Sequence, residues 1–416
     1  MEFENCDLSF VCDLNNCAWQ SKLIQERSST VNLHDLPFID HHCHPYDPAM
    51  ADLTPELLAH EFYHGRGDIP EPDIPKARLW GATDALRRHW PHMGVVRTLV
   101  CQLSKILDCP PELEAVAHAR NQLTLKSFGT YAELLYNDAG IVATVVDTDL
   151  AVNDPVLDLI PGKILRLFQF EPPLRQLLKE VDSYRGLLER FQSLLEHAVR
   201  ENGFIGIKVH LAENAGFGVL PVREKEAASV FSRAKGGDGG AYKTLYTAVF
   251  TATLLQCQAL DIPVHLHSGF TGGMWDGPIH DADPFLLAPF LKHNEFLKSK
   301  IILLHAGYPW SKQAGQMAHG FPHVWVDMGQ MTPWASLRIA ECYRDVLAWA
   351  PLSKIVVGSG GHGTPEIAWL AAKTAKIALA EVLEDAVRLE LMTGRDAEAS
   401  ARMILHDNAA RLYGLV

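Results

Sequence analysis

The chain lacks a basic start followed by an apolar stretch: Met1-Glu2-Phe3-Glu4-Asn5-Cys6 opens neither a signal peptide nor an anchor. A soluble, cytoplasmic protein is expected. It also lacks a basic stripe, since its Lys and Arg residues are scattered and the net charge is -13, so no electrostatic footprint for nucleic acid or an anionic membrane is present. A small-molecule substrate fits better. Eight cysteines in 416 residues are too sparse and irregular for a disulfide scaffold, and reduced thiols are expected. Cys6, Cys12 and Cys17 have a spacing that matches no familiar closed zinc site. There is no internal repeat or long low-complexity segment, and Lys235-Gly236-Gly237-Asp238-Gly239-Gly240 has no strand leading into it, so it reads as a loop rather than a phosphate cradle.

What the chain does have is a 48% hydrophobic composition, enough for a large core, and a regular alternation of short apolar runs with helical stretches. The runs after the first, Pro37-Phe38-Ile39, are Ile141 to Val146, Ile164 to Phe168, Phe204 to Val209, Ile262 to His267, Ile301 to His305, Val324 to Asp327 and Ile355 to Gly358. Continuous apolar strands separated by helices imply a parallel sheet covered by helices, and eight such units predict a (β/α)8 TIM barrel. The expected division is an N-terminal extension over 1–36 and a barrel over 37–416, with a largely helical insertion at about 49–137 that contains the Pro-rich break Ile69 to Pro75.

Twenty histidines are an enrichment, though His89, His92, His118 and His197 lie away from strand ends. His42-Cys43-His44 is different. In an extended strand, residues two apart share a side, so His42 and His44 can present two imidazoles to one ion while Cys43 points away. Later strands end near Lys208, His267, His305 and Gly360, on the barrel face where such folds build active sites.

With those positions in view, the sequence resembles the metal-dependent amidohydrolase superfamily, and within it the amidohydrolase-2, FluG-like group. The phrases that carry the likeness are Asp40-His41-His42-Cys43-His44, Pro263-Val264-His265-Leu266-His267-Ser268-Gly269-Phe270, Leu304-His305-Ala306-Gly307-Tyr308-Pro309, Gly358-Ser359-Gly360 and the closing Asn408-Ala409-Ala410-Arg411-Leu412-Tyr413-Gly414. The resemblance implies that His42, His44 and His267 ligate a divalent metal, zinc, as one or two ions. His305 is then a ligand of a second ion or a catalytic, substrate-polarising group. Lys208 either bridges two ions in carboxylated form or pairs with a substrate carboxylate. His265 and His210 are read as orienting or core imidazoles. Arg166, Glu171, Trp275, Tyr308, Gln330 and His362 follow or flank strand ends and are expected to shape the substrate pocket, Arg166 by holding an acidic group. Asp327 is either part of that pocket or a structural partner of a neighbouring loop.

One position departs from the pattern. The family places aspartate directly after Gly358-Ser359, and this chain has Gly360. That carboxylate would bind metal and take the proton from attacking water, so the resemblance implies hydrolysis of a C–N amide bond, of a γ-glutamyl or N-acyl substrate, impaired by the glycine. The rival readings are a metal-dependent non-oxidative decarboxylase of an unsaturated or aromatic acid and a non-catalytic ligand-binding member. A homo-oligomer is expected.

Overall fold

The computed structural model describes residues 32–63, 87–151, 153–269 and 279–415. Eight parallel strands run in chain order around a nearly closed barrel: β1 Phe38–Cys43, β2 Ile141–Asp147, β3 Lys163–Gln169, β4 Phe204–Val209, β5 Val264–Leu266, β6 Ile301–Leu303, β7 Val324–Asp327 and β8 Ile355–Val356. The last strand meets the first through backbone hydrogen bonds: His41 N–H donates to Val357 O, Ser359 and Gly360 N–H to His42 O, and His44 N–H to Gly361 O. These strands form because their runs can be buried on both faces; Ile301, Ile302 and Leu303 are all fully buried.

Alternation along the strands divides the core. Outward residues pack beneath the helices, while Ile39, Ala143, Ile302, Leu304 and Val356 form one inner cluster and Val145, Leu165 and Leu167 another. The chain's end closes this interior: Ala409 and Ala410 join the first inner cluster, and Tyr413 and Leu415 pack against both. Asn408 holds that segment in place by donating from its Nδ2 to Leu352 O and Ile355 O, each at 2.7 Å.

The β1–β2 connection contains helices Pro55–Glu61, Gly94–Leu107, Leu113–Thr124 and Phe128–Ala139. The insertion is pinned to the long helix Pro365–Arg388 by Arg120, whose Nε lies 2.6 Å from Glu366 Oε1, with both side chains fully buried. The glycine-rich stretch expected as a loop is a tight turn between helices Glu224–Lys235 and Gly239–Leu260, and Asp238 caps the second by accepting from Ala241 N–H. Among the described residues, no helix is long and apolar enough to cross a membrane.

Candidate metal centre

The β1–β2 register decides what β1 presents. Asp40 pairs with Thr144 and Cys43 with Val146, so three steps along β1 match two along β2, which is a bulge at His41 and His42. Strict alternation would put these neighbours on opposite faces; the bulge turns both imidazoles inward. His42 and His44 have ring centroids 5.1 Å apart, whereas His41 stacks on His265 at 4.4 Å. Cys43 is buried in the outer core, as the alternation predicts.

Two layers result. The deeper one consists of His41, His265 and Tyr413, with the Tyr413 hydroxyl 2.8 Å from His41 Nδ1 and 2.7 Å from His265 Nε2. The upper one gathers His42, His44, Asp147, Lys208, His210, His267 and His305. Its tightest donor set is His42, His44 and Asp147, whose ligand atoms lie within 4.8 Å of one another. Lys208 Nζ stands 3.5 Å from Asp147 Oδ2 and 3.1 Å from His210 Nε2, and Gln169 Nε2 donates to Asp147 Oδ1 at 2.9 Å. His305 and His267 complete the ring, with centroids 4.8 Å apart and His305 5.6 Å from His42. His267 Nδ1 contacts the Glu213 carboxylate.

Burial sets the protonation states. It holds His42 and His265 well below the ordinary imidazole range, His44 at about 4 and His41 at about 3. Burial pushes Asp147 upward, but Lys208, His44 and His210 together outweigh it and leave the carboxyl below its usual value. The set therefore offers neutral imidazole nitrogens and an ionised carboxylate. Both ring nitrogens of His42 are buried without a hydrogen-bond partner among the described residues, so the donor set fits a divalent ion.

Two buried carboxylates brace the β1, β7 and β8 ends. Asp40 accepts from Ser359 N–H and Ser359 Oγ–H, while Asp327 accepts from Gly358 N–H and His305 N–H. Burial raises Asp40 to about 7 and Asp327 to about 6, against the lowering effect of those bonds. Of the two readings of Asp327, these bonds match the loop partner.

The remaining candidates are divided. Arg166 lies between the inward Leu165 and Leu167, so its side chain leaves the barrel on the outer face. There it lies over the Phe204 ring at 4.2 Å, donates to Asn202 O and lines an outer cleft with Phe168, Pro172 and Leu194. The expected carboxylate clamp is thus not brought to the histidines: Arg166 stands in the middle of Lys163–Gln169 rather than at its end, and side-chain parity turns it outward. Glu171 is buried and orients His210, accepting from its backbone N–H at 2.8 Å and meeting Nδ1 at 3.1 Å, while Tyr246 O–H donates to it at 2.6 Å. Tyr308 follows His305 in the same turn, its N–H donating to His305 O. His362 lies parallel to Trp334, and its Nδ1 is 3.4 Å from Gly360 O. Trp275 lies outside the described residues. Asp147 and Glu213 were missed by sequence reasoning: the first ends an apolar run without a motif around it, and the second lies on a short helix after β4. The strand-end position of Asp147 was the signal that could have found it.

The amidohydrolase family model matches residues 184–415. Protein fluG of Emericella nidulans is 24% identical over 277 residues, covering 62% of this chain and 32% of fluG, so the chain spans about a third of that relative's length. A Lactobacillus casei protein described as a metal-dependent hydrolase superposes with a TM-score of 0.77 at 20% identity, covering 92% of this chain and 96% of the other. A uronate isomerase from Bacillus halodurans has a TM-score of 0.61 at 14% identity, covering 95% and 97% of the two chains. Glucuronate isomerase from Caulobacter crescentus has 0.62 at 13%, covering 96% and 95%. These structures share the barrel fold. With the family model matching more than half of its residues, this chain belongs to the amidohydrolase family.

Proposed function

We propose that this protein is a metal-dependent amidohydrolase that holds zinc through His42, His44 and Asp147 and acts on a C–N amide bond of a small γ-glutamyl or N-acyl substrate. The observation that carries this reading is the convergence of two neutral imidazoles and a carboxylate within 4.8 Å at the barrel mouth. The chemistry supplied by such an ion is Lewis acidity, which polarises an amide carbonyl and makes water more acidic.

The chain's own residues do the rest. Lys208 and Gln169 fix Asp147 from two sides. His267, in contact with Glu213, is an imidazole oriented by a carboxylate, an arrangement suited to taking and returning a proton. His305 faces His42 and His267 and is placed to polarise the substrate. Position 360 offers no carboxylate, so turnover is slow. A ligand-binding role without turnover is the second reading, favoured by that same glycine.

The test is amine release from a panel of γ-glutamyl and N-acyl amides by zinc-loaded and zinc-stripped protein, beside the His42→Ala/His44→Ala double variant. Slow, zinc-dependent amine release that the double variant loses is expected, together with loss of zinc by elemental analysis. Carbon dioxide release without amine would replace hydrolysis with decarboxylation. Tight zinc in the double variant would overturn the ligand assignment.

A further inference from the structure

We propose that Gln330 and Gly360 act as one unit, in which the Gln330 carboxamide occupies the space of a side chain at position 360 and offers the pocket's ligand an amide oxygen in place of a carboxylate. This deepens the proposed reading, on which it rests for the identity of the pocket. The steric conflict between the two residues does not depend on it.

A Cβ built on Gly360 would lie 2.2 Å from Gln330 Cγ and 3.2 Å from both Cδ and Nε2. The first distance is far inside van der Waals contact and involves the middle of the side chain, so Gln330 would have to leave. Gly360 has a φ of +63°, a left-handed conformation that glycine adopts without penalty and aspartate tolerates better than most residues. Backbone conformation is therefore the smaller obstacle to a carboxylate there; Gln330 is the larger one.

Gln330 itself departs from ordinary backbone geometry. Its φ of 53° and ψ of -50° lie where a residue with a side chain is rarely found, and such positions persist only when their surroundings enforce them. The enforcement is visible: Gln330 N–H donates to Ser359 O at 3.2 Å, and Gly329 beside it leaves no room for a side chain, since a Cβ there would meet Asp327 Oδ2 at 2.8 Å. This pressed pair of loops carries the amide to Gly360, whose N–H is bonded to His42 O at 2.7 Å. The amide thus stands one residue from the candidate ligand His42.

The Gln330 Oε1 atom is buried and has no hydrogen-bond partner among the described residues. A buried acceptor without a donor is costly and calls for an explanation, which a donor on a bound ligand would supply. The matching ligand class is a neutral group with an N–H or O–H donor, such as an amide or hydroxyl. An amide oxygen accepts that hydrogen bond without taking the proton, so the unit favours holding such a group over deprotonating water.

The experiment is a cycle of Gly360→Asp, Gln330→Gly and the double variant, with Gln330→Glu and Gln330→Leu added. The readouts are the melting temperature of metal-free protein and zinc affinity by chelator competition. Gly360→Asp alone should melt lower than the parent, and Gln330→Gly should restore the melting temperature in the double variant. The double variant should bind zinc roughly tenfold or more tightly than the two single changes predict, the size expected for side chains in direct contact. Gln330→Glu should tighten zinc with Gly360 untouched, and Gln330→Leu should not. Additive single effects, with Gly360→Asp at the parent melting temperature, would overturn the unit, as would a Gln330→Glu variant with unchanged zinc affinity. Should no variant bind zinc, the function reading fails, and the metal-free melting cycle alone decides the coupling.

Discussion

Asp147 Oδ2 stands 3.8 Å from His44 Nδ1 at the barrel mouth, which places the end of β2 beside the end of β1 in one donor set. Asp147→Asn keeps the shape and removes the charge. Because the same carboxylate also faces Lys208, the variant loses a ligand oxygen of full charge and leaves an ammonium beside the site. Zinc affinity should fall by at least ~10- to 100-fold, the loss typical even of residues that only support a ligand. Competition against a chromophoric chelator measures it, and unchanged affinity would remove Asp147 from the ligand set.

The barrel was legible in the sequence because each strand is an apolar run between helices. Phe204–Val209 and Val324–Asp327 appear with the expected bounds, whereas the runs through His267 and His305 stop as strands at Leu266 and Leu303. After Leu303 the chain leaves the strand for a turn in which His305 and Ala306 take positive φ, which no periodicity reports. The histidines were legible by spacing. The bulge that lets the neighbours His41 and His42 both face inward was not, since it depends on the pairing partner rather than on β1. Arg166 shows the converse limit: it falls in the middle of β3 rather than at its end, and a single-residue parity sends it outside. The burial of Glu366 against Arg120 was not legible either, because it depends on an insertion distant in sequence.

Acid should destabilise the metal-free protein through its buried imidazoles. His41 and His44 fall from 6.5 to about 3 and about 4 on folding, and His42 and His265 are also strongly lowered. The unfolded chain therefore binds more protons below about pH 6.5, and the stability these groups contribute above that pH is lost as pH falls towards 4 and 3. Asp40 and Asp327, raised to about 7 and about 6, act oppositely: their contribution is present at low pH and lost as pH rises through those values. Four imidazoles outweigh two carboxylates, and each net proton is worth about 1.4 kcal/mol per pH unit. Denaturant unfolding of metal-free protein at pH 6.5, 5.5 and 4.5 should give a falling free energy; a rise on acidification would contradict the burial of these rings.

Glu366→Gln should be among the most damaging changes remote from the metal centre. It strips the countercharge from Arg120, whose Nε is 2.6 Å from Glu366 Oε1 in a fully buried setting also reached by Tyr131 O–H at 3.0 Å. An unpaired buried guanidinium costs about 3–5 kcal/mol. Arg120→Met/Glu366→Gln removes both charges, so it should be less destabilised than the sum of its single changes. Equilibrium unfolding in urea measures the cycle, and a Glu366→Gln loss below ~1 kcal/mol would show that the pair is poorly desolvated in solution.

Tyr413→Phe tests the floor beneath the metal layer. The hydroxyl sits between His41 Nδ1 and His265 Nε2. A phenol has one O–H to donate, so it donates to one imidazole and accepts from the other; because it meets Nδ1 of His41 and Nε2 of His265, the two stacked rings must share one tautomer, both Nε2–H or both Nδ1–H. Removing the oxygen leaves a buried donor and a buried acceptor unmatched, in rings whose other nitrogens, His41 Nε2 and His265 Nδ1, already lack partners among the described residues. The expected loss is about 1–3 kcal/mol of unfolding free energy, a much larger effect than the removal of one exposed hydroxyl would cause. Zinc stoichiometry should remain intact, because the hydrogen bonds and ring contacts of Tyr413 among the described residues go to His41 and His265. A change within ~0.5 kcal/mol would mean that the bridge contributes nothing net, and loss of zinc from a folded Tyr413→Phe protein would show that the deeper layer fixes the ligands as well as the fold.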